Sequence, residues 1–159
     1  MRSIIINISN TLNRFCKVTA SCFFAAMLFF VIFQVISRYI FQSVPPWTSE
    51  AARYCMVWGG LLGATVAFKS NFDPRIVQPP SGDKRILAIS ALWTRALAVL
   101  IFLSPVLYFS PGFLVRASHR TTQALEISAM WVSLAVPLSI VVIFCHIAAK
   151  LAEPEIDST

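Results

Sequence analysis

Acidic side chains are scarce in this chain: 7 of its 159 residues are Asp or Glu. The long apolar runs contain none except Glu50, which opens one of them in "WTSEAARYCMVWGG". Histidine is as rare, with His119 and His146 alone, and haem ligation would need two histidines facing each other at membrane depth. The four cysteines, Cys16, Cys22, Cys55 and Cys145, have no Cys-x-x-Cys spacing. Each lies in or beside an apolar run, which reads as small apolar packing rather than thiol chemistry. No Ser, His and acid set falls at a common depth, so nucleophilic catalysis has no constellation to use. Charge is low altogether, 13% against about a quarter in a soluble domain. The formal net charge of +6 gathers on no soluble basic face, which speaks against nucleic acid as a partner. Nothing calls for a metal or another cofactor.

Apolar residues are abundant instead. They make up 57% of the chain and form blocks of about 20 residues, the length that crosses a bilayer as a helix. Backbone amides in lipid must be satisfied within the segment, so helices are the required form. The sequence therefore predicts an all-α integral membrane protein, a bundle of four transmembrane helices in one membrane domain spanning 1–159. The helices are placed at approximately 18–40, 47–68, 86–115 and 127–149. A surface helix is expected over 2–15, with Ile4, Ile5, Ile8, Leu12 and Phe15 facing lipid. The apolar core of the third helix, Ala96–Val115, puts Arg95 at the membrane edge beside Trp93. Pro137 lacks an amide, so the Ser133 carbonyl loses its usual partner and the fourth helix should kink. The first block is longer than a signal-peptide core and "SRYIFQ" after it offers no cleavage pattern, so it reads as an uncleaved helix.

Basic residues orient the bundle. Arg2, Arg14, Lys17, Lys69, Arg75, Lys84, Arg85 and Lys150 fall on one side, against Arg38, Arg53, Arg116 and Arg120 on the other. The positive-inside bias places both termini in the cytoplasm.

Glu50 is the residue with the most open meaning: one of a catalytic pair, a proton site, or an anchor at the membrane surface. "SVPPWTSE" reads as a turn and a helix start, with Pro45 and Pro46 leading the chain in and Thr48 or Ser49 capping free amides. Trp47 belongs at headgroup level, which puts Glu50 near the surface rather than at the depth a transport carboxylate needs. Arg53 and Arg38 are its expected ionic partners. The three charges read equally as a solvated rim or as a clamp on another subunit. At about 100° per residue, Glu50, Tyr54, Val57 and Leu61 share one face of the helix. Gly59, Gly63 and Ala67 lie on the opposite face, in a small-residue pattern that admits a neighbouring helix closely.

The stretch "SRYIFQSVPPWTSEAARYCMVWGGLLGATVAFKS" resembles the small membrane subunit (DctQ-like) of tripartite ATP-independent periplasmic, or TRAP, transporters. The residues carrying the likeness are Arg38–Tyr39, Trp47, Glu50, Arg53–Tyr54, Trp58, Gly63–Ala64 and Lys69, followed by Ala124–Leu125, Trp131 and Pro137. The chain departs from the family pattern at Ser49, where a second acid is common, and at "NFDPRI", where a His-Ile is common. The resemblance implies a subunit of the bacterial inner membrane that scaffolds a large membrane subunit. A periplasmic binding protein would deliver an organic anion, commonly a carboxylate, and an ion gradient, usually of sodium, would drive import. Arg38, Trp47, Glu50, Arg53, Tyr54, Trp58, Gly59, Gly63 and Pro137 are then the candidate anchor and interface residues. A small homodimeric transporter and a membrane redox enzyme are the rival readings. The orientation is directly testable: reporter fusions at residues 1 and 159 should both report cytoplasm, and a periplasmic signal from either end rejects it.

Overall fold

The computed structural model describes the backbone of residues 2–70 and 85–152, and the side chains of residues 6–70 and 93–151. The "NFDPRI" loop, and the side chains of Ile4 and Ile5, lie outside these residues. Helix α1 runs Arg2–Ile40, α2 Pro46–Lys69, α3 Arg85–Ser118, α4 Met130–Ser133 and α5 Ala135–Ala152. Among the described residues, four spans are long and apolar enough to cross a membrane: Ile6–Ile40, Pro46–Lys69, Trp93–Ser118 and Met130–Leu151.

The N-terminal surface helix and the first membrane helix are one rod. Arg2–Ile40 contains neither Gly nor Pro, so nothing interrupts the ladder. At 1.5 Å per residue it is about 58 Å long, well beyond the ~30 Å hydrocarbon layer. Its first turns do not present a purely lipid-facing stripe. Ile8 and Phe15 are exposed, but Leu12 packs against the core and Ser9 and Cys16 are buried. Ser9, Leu12 and Cys16 are spaced by three and four residues, so they share the face that turns toward the bundle.

That face continues through Ala20 and Phe23 and meets Trp58, Leu62 and Val66 of α2 and Val142 of α5. The Phe23 and Trp58 rings stack with centroids 5.9 Å apart. The small-residue stripe of α2 lies on α1. A Cβ added at Gly59 would stand 3.3 Å from Phe23 Cβ and 3.5 Å from the Ala20 carbonyl oxygen. Gly63 faces the Phe24 ring. Gly60, one residue along, faces open space. In lipid, where apolar side chains gain little by leaving the solvent, this close packing is what brings helices together.

Helix α3 flanks the bundle, and among the described residues it packs against α4 and α5. It carries Pro105 and Pro111 inside. The Leu107 carbonyl, which Pro111 cannot serve, accepts a hydrogen bond from Ser110 Oγ at 2.7 Å. Helix α3 starts at Arg85, so "RILAISALWT" forms its first turns ahead of the apolar core at Ala96–Val115. The fourth span divides at Leu134, one turn before Pro137, where the ring and the missing amide disturb the preceding turn.

The Gly59 contact generates a paired prediction. Gly59→Leu should lower stability by about 1–3 kcal/mol through overpacking, whereas Gly60→Leu should be close to neutral. Thermal unfolding of both variants in the same detergent checks this, and equal melting temperatures would count against close α1–α2 packing.

Candidate functional site

The end of the bundle that holds the α1–α2 turn is built from Pro45 onward. Pro45 is extended (φ −63°, ψ 122°) and Pro46 is the first helical residue, with no side chain capping the free amides. The expected caps act differently because the helix begins before them. Thr48 Oγ1 donates to the Pro45 carbonyl (2.7 Å) and Ser49 Oγ to the Pro46 carbonyl (3.0 Å). Proline at the first helical position supplies a preset φ and has no amide to leave unsatisfied. Trp47 sits against Phe30 and Phe33 of α1, with ring centroids 6.1 and 6.2 Å away. It closes the α1–α2 pair at this end.

The connection between α3 and α4 folds back on itself. The amide of Thr122 donates to the Ile127 carbonyl (2.9 Å) and that of Ala129 to the Arg120 carbonyl (2.8 Å). The Ile127 amide donates to Thr122 Oγ1 at 3.2 Å. At the tip Glu126 takes a left-handed conformation, φ 53°. The successive amides of Ala124 and Leu125 then both donate to Glu50 Oε2, at 3.2 and 3.0 Å. Adjacent amides converging on one anionic oxygen resemble a backbone anion nest, and the ionised acceptor makes such bonds roughly twice as strong as neutral ones.

The described bonds to Glu50 therefore come from this loop rather than from Arg38 or Arg53. Its half-buried carboxylate joins α2 to a loop more than 70 residues later in the chain. Arg38 and Arg53 are exposed nearby in sequence, on either side of the α1–α2 turn, while Tyr54 and Trp58 are half-buried. Gly59 and Gly63 belong to the α1 contact, and Pro137 is half-buried in α5. The helix faces carrying Glu50 and the glycines thus meet two different neighbours within this chain.

The opposite end contains a polar group that sequence reasoning missed. Ser9 Oγ and His146 Nδ1 are 2.9 Å apart, both residues buried. Lys69 Nζ donates to Asn10 Oδ1 (2.7 Å) and Lys150 Nζ to the Phe68 carbonyl (2.8 Å). The legible signal was the row Ser9, Asn10, Asn13 on α1, polar residues in a stretch otherwise read as lipid-facing. Among the described residues, no cluster of His, Cys, Asp or Glu is placed to hold a metal ion.

Removing the Glu50 acceptor should leave two amides without their partner. Glu50→Ala should speed hydrogen exchange at Ala124 and Leu125 by about tenfold or more, equivalent to 1–3 kcal/mol, with Glu50→Gln intermediate. Unchanged exchange in a peptide covering 119–129 would remove Glu50 from this role.

Comparison with curated proteins finds no match. Residues 27–155 match the family described as "Tripartite ATP-independent periplasmic transporters, DctQ component", a match that covers the C-terminal part of α1 and all of α2, α3, α4 and α5. The chain belongs to this family, and it is a multi-pass membrane component of a transporter, not an enzyme.

Proposed function

We propose that this subunit scaffolds the large membrane subunit of a TRAP transporter in the bacterial inner membrane. The transporter imports an organic anion, a carboxylate by chemical class, delivered by a periplasmic binding protein and driven by an ion gradient. The observation that carries the scaffold role is the use of Glu50. It is the single Asp or Glu within the four spans, and its carboxylate oxygen accepts two loop amides. An ion-coupling site in this chain would call for an acid at membrane depth. A carboxylate that fixes a loop at a helix end instead shapes a surface.

The helix faces support the same role. The spanning windows of α1 and α3 are each only 6% buried within the chain, which leaves long apolar faces for lipid and for a second membrane subunit. Exposed Arg38 and Arg53, with Trp47, offer direct contacts around the α1–α2 turn. Glu50 anchors through the loop it holds, and Tyr54, Trp58, Gly59, Gly63 and Pro137 keep the helices in the shape that presents these contacts.

Co-purification of the large subunit, alongside uptake by cells carrying the whole transporter, tests this. Arg38→Gln, Arg53→Gln and Glu50→Gln should each weaken association, by about 1–3 kcal/mol where the contact is partly desolvated, and uptake should fall in parallel. An intact complex with uncoupled transport in Glu50→Gln would overturn the scaffold reading in favour of an ion site.

A further inference from the structure

Among the described residues, two side-chain atoms are buried and make no hydrogen bond: His146 Nε2 and Asn13 Oδ1. His146 is fully enclosed, with 0% of its surface exposed. Its other ring nitrogen, Nδ1, lies 2.9 Å from Ser9 Oγ, which turns Nε2 away from Ser9. A buried polar atom without a partner loses its hydration and gains nothing in return. Native proteins satisfy nearly all such atoms, with protein groups or with ordered water.

Helix geometry directs both atoms into one junction. At about 100° per residue, Asn13 falls between Ser9 and Asn10 around the axis of α1. Ser9 meets α5 through His146, and Asn10 meets α2 through Lys69. The Asn13 side chain therefore enters where α1, α2 and α5 converge. It stands one turn from Ser9, about 6 Å along the axis at 1.5 Å per residue. Leu12, Cys16 and Val142 pack together as an apolar floor beside it.

We propose that this junction binds one water molecule, which bridges His146 Nε2 and Asn13 Oδ1. The amide oxygen can only accept, whereas the ring nitrogen donates or accepts according to its tautomer. Water serves both cases. Where Nε2 carries the proton, water accepts from it and donates to Oδ1; where Nε2 is bare, water donates to both. Two polar partners are the minimum for a buried water, and this junction supplies them. Its source is near, since Lys69 and Lys150, close to the ends of their spans, lie at the same end of the bundle. The bridge ties α5 to α1 at two points one turn apart, so sliding along either axis breaks both. The proposal is independent of which subunit this chain braces.

The test is nuclear magnetic resonance of the full-length chain in bilayer discs, with isotope-labelled histidine and asparagine. His119→Gln, in the exposed α3–α4 loop, leaves His146 as the one histidine. The ring Cδ2–H of His146, beside Nε2, should show a cross-peak to a long-lived water. Bulk water cannot supply that signal to a ring with no exposed surface. Asn13→Leu, added to this chain, removes the acceptor at similar size and should abolish the cross-peak. Ser9→Ala should keep it, because the Ser9 hydroxyl contacts the other nitrogen. No water cross-peak in the His119→Gln chain overturns the proposal, as does a direct ring contact with the Asn13 side chain in its place. A signal that survives Asn13→Leu, or one lost in a folded Ser9→Ala variant, overturns it as well. Should Asn13→Leu fail to fold, the His119→Gln chain itself decides. The same water should then also show a cross-peak to the Asn13 side-chain amide, and a water seen by the ring alone overturns the bridge.

Discussion

The contact of α1 with α2 across Gly59 is the constraint on which the rest of the bundle depends. A helix in lipid has its backbone bonds already satisfied, so association must come from how closely two surfaces fit. With hydrogen alone as the side chain of Gly59, α2 approaches Phe23 and the Ala20 carbonyl of α1 closely. That approach brings Trp58 onto Phe23 and sets Leu62 and Val66 against the Cys16–Ala20 face, where Val142 of α5 completes the junction. The α1–α2 pair is the platform; α5 packs on both its members, and α3 packs on α5 and α4.

Polar bonds fix the two ends of this apolar platform. At one end Glu50 holds the amides of the α3–α4 connection, so the loop entering the last span takes its position from α2. At the other end Ser9 meets His146, Lys69 meets Asn10, and Lys150 reaches the Phe68 carbonyl. The two lysines lie near the C-terminal ends of α2 and α5, where the helix dipole favours a cation. For the scaffold role proposed above, polar bonds at the ends with close packing between them are a fitting division. Apolar contacts alone would allow sliding along the helix axes.

Glu50 also shows why an acid in a membrane protein must be read by its partners. An isolated carboxylate in an apolar run suggests ion transport, and two nearby arginines suggest an ion pair. Two backbone amides on one oxygen give a third outcome, a structural anion that orders a loop. The arginines on either side of the turn are then exposed at the protein surface.

The family was legible from the order of Arg38–Tyr39, Trp47, Glu50, Arg53–Tyr54 and Trp58, and the four spans from apolar length. Both depend on properties local to a segment: hydropathy, the absence of Gly and Pro through Arg2–Ile40, and the need of every amide in lipid for a partner in its own helix. Proline also gave its warning locally, since the fourth span divides one turn before Pro137. What only the tertiary structure decided is which surfaces meet. The glycine stripe was equally suited to any helix and lies on α1. Ser9 finds His146 at a separation of 137 residues, and Glu50 finds Ala124 at 74. A side chain's chemistry states what kind of partner it needs, but packing between distant segments determines which partner comes within hydrogen-bond reach, and nothing in the neighbouring residues records that distance.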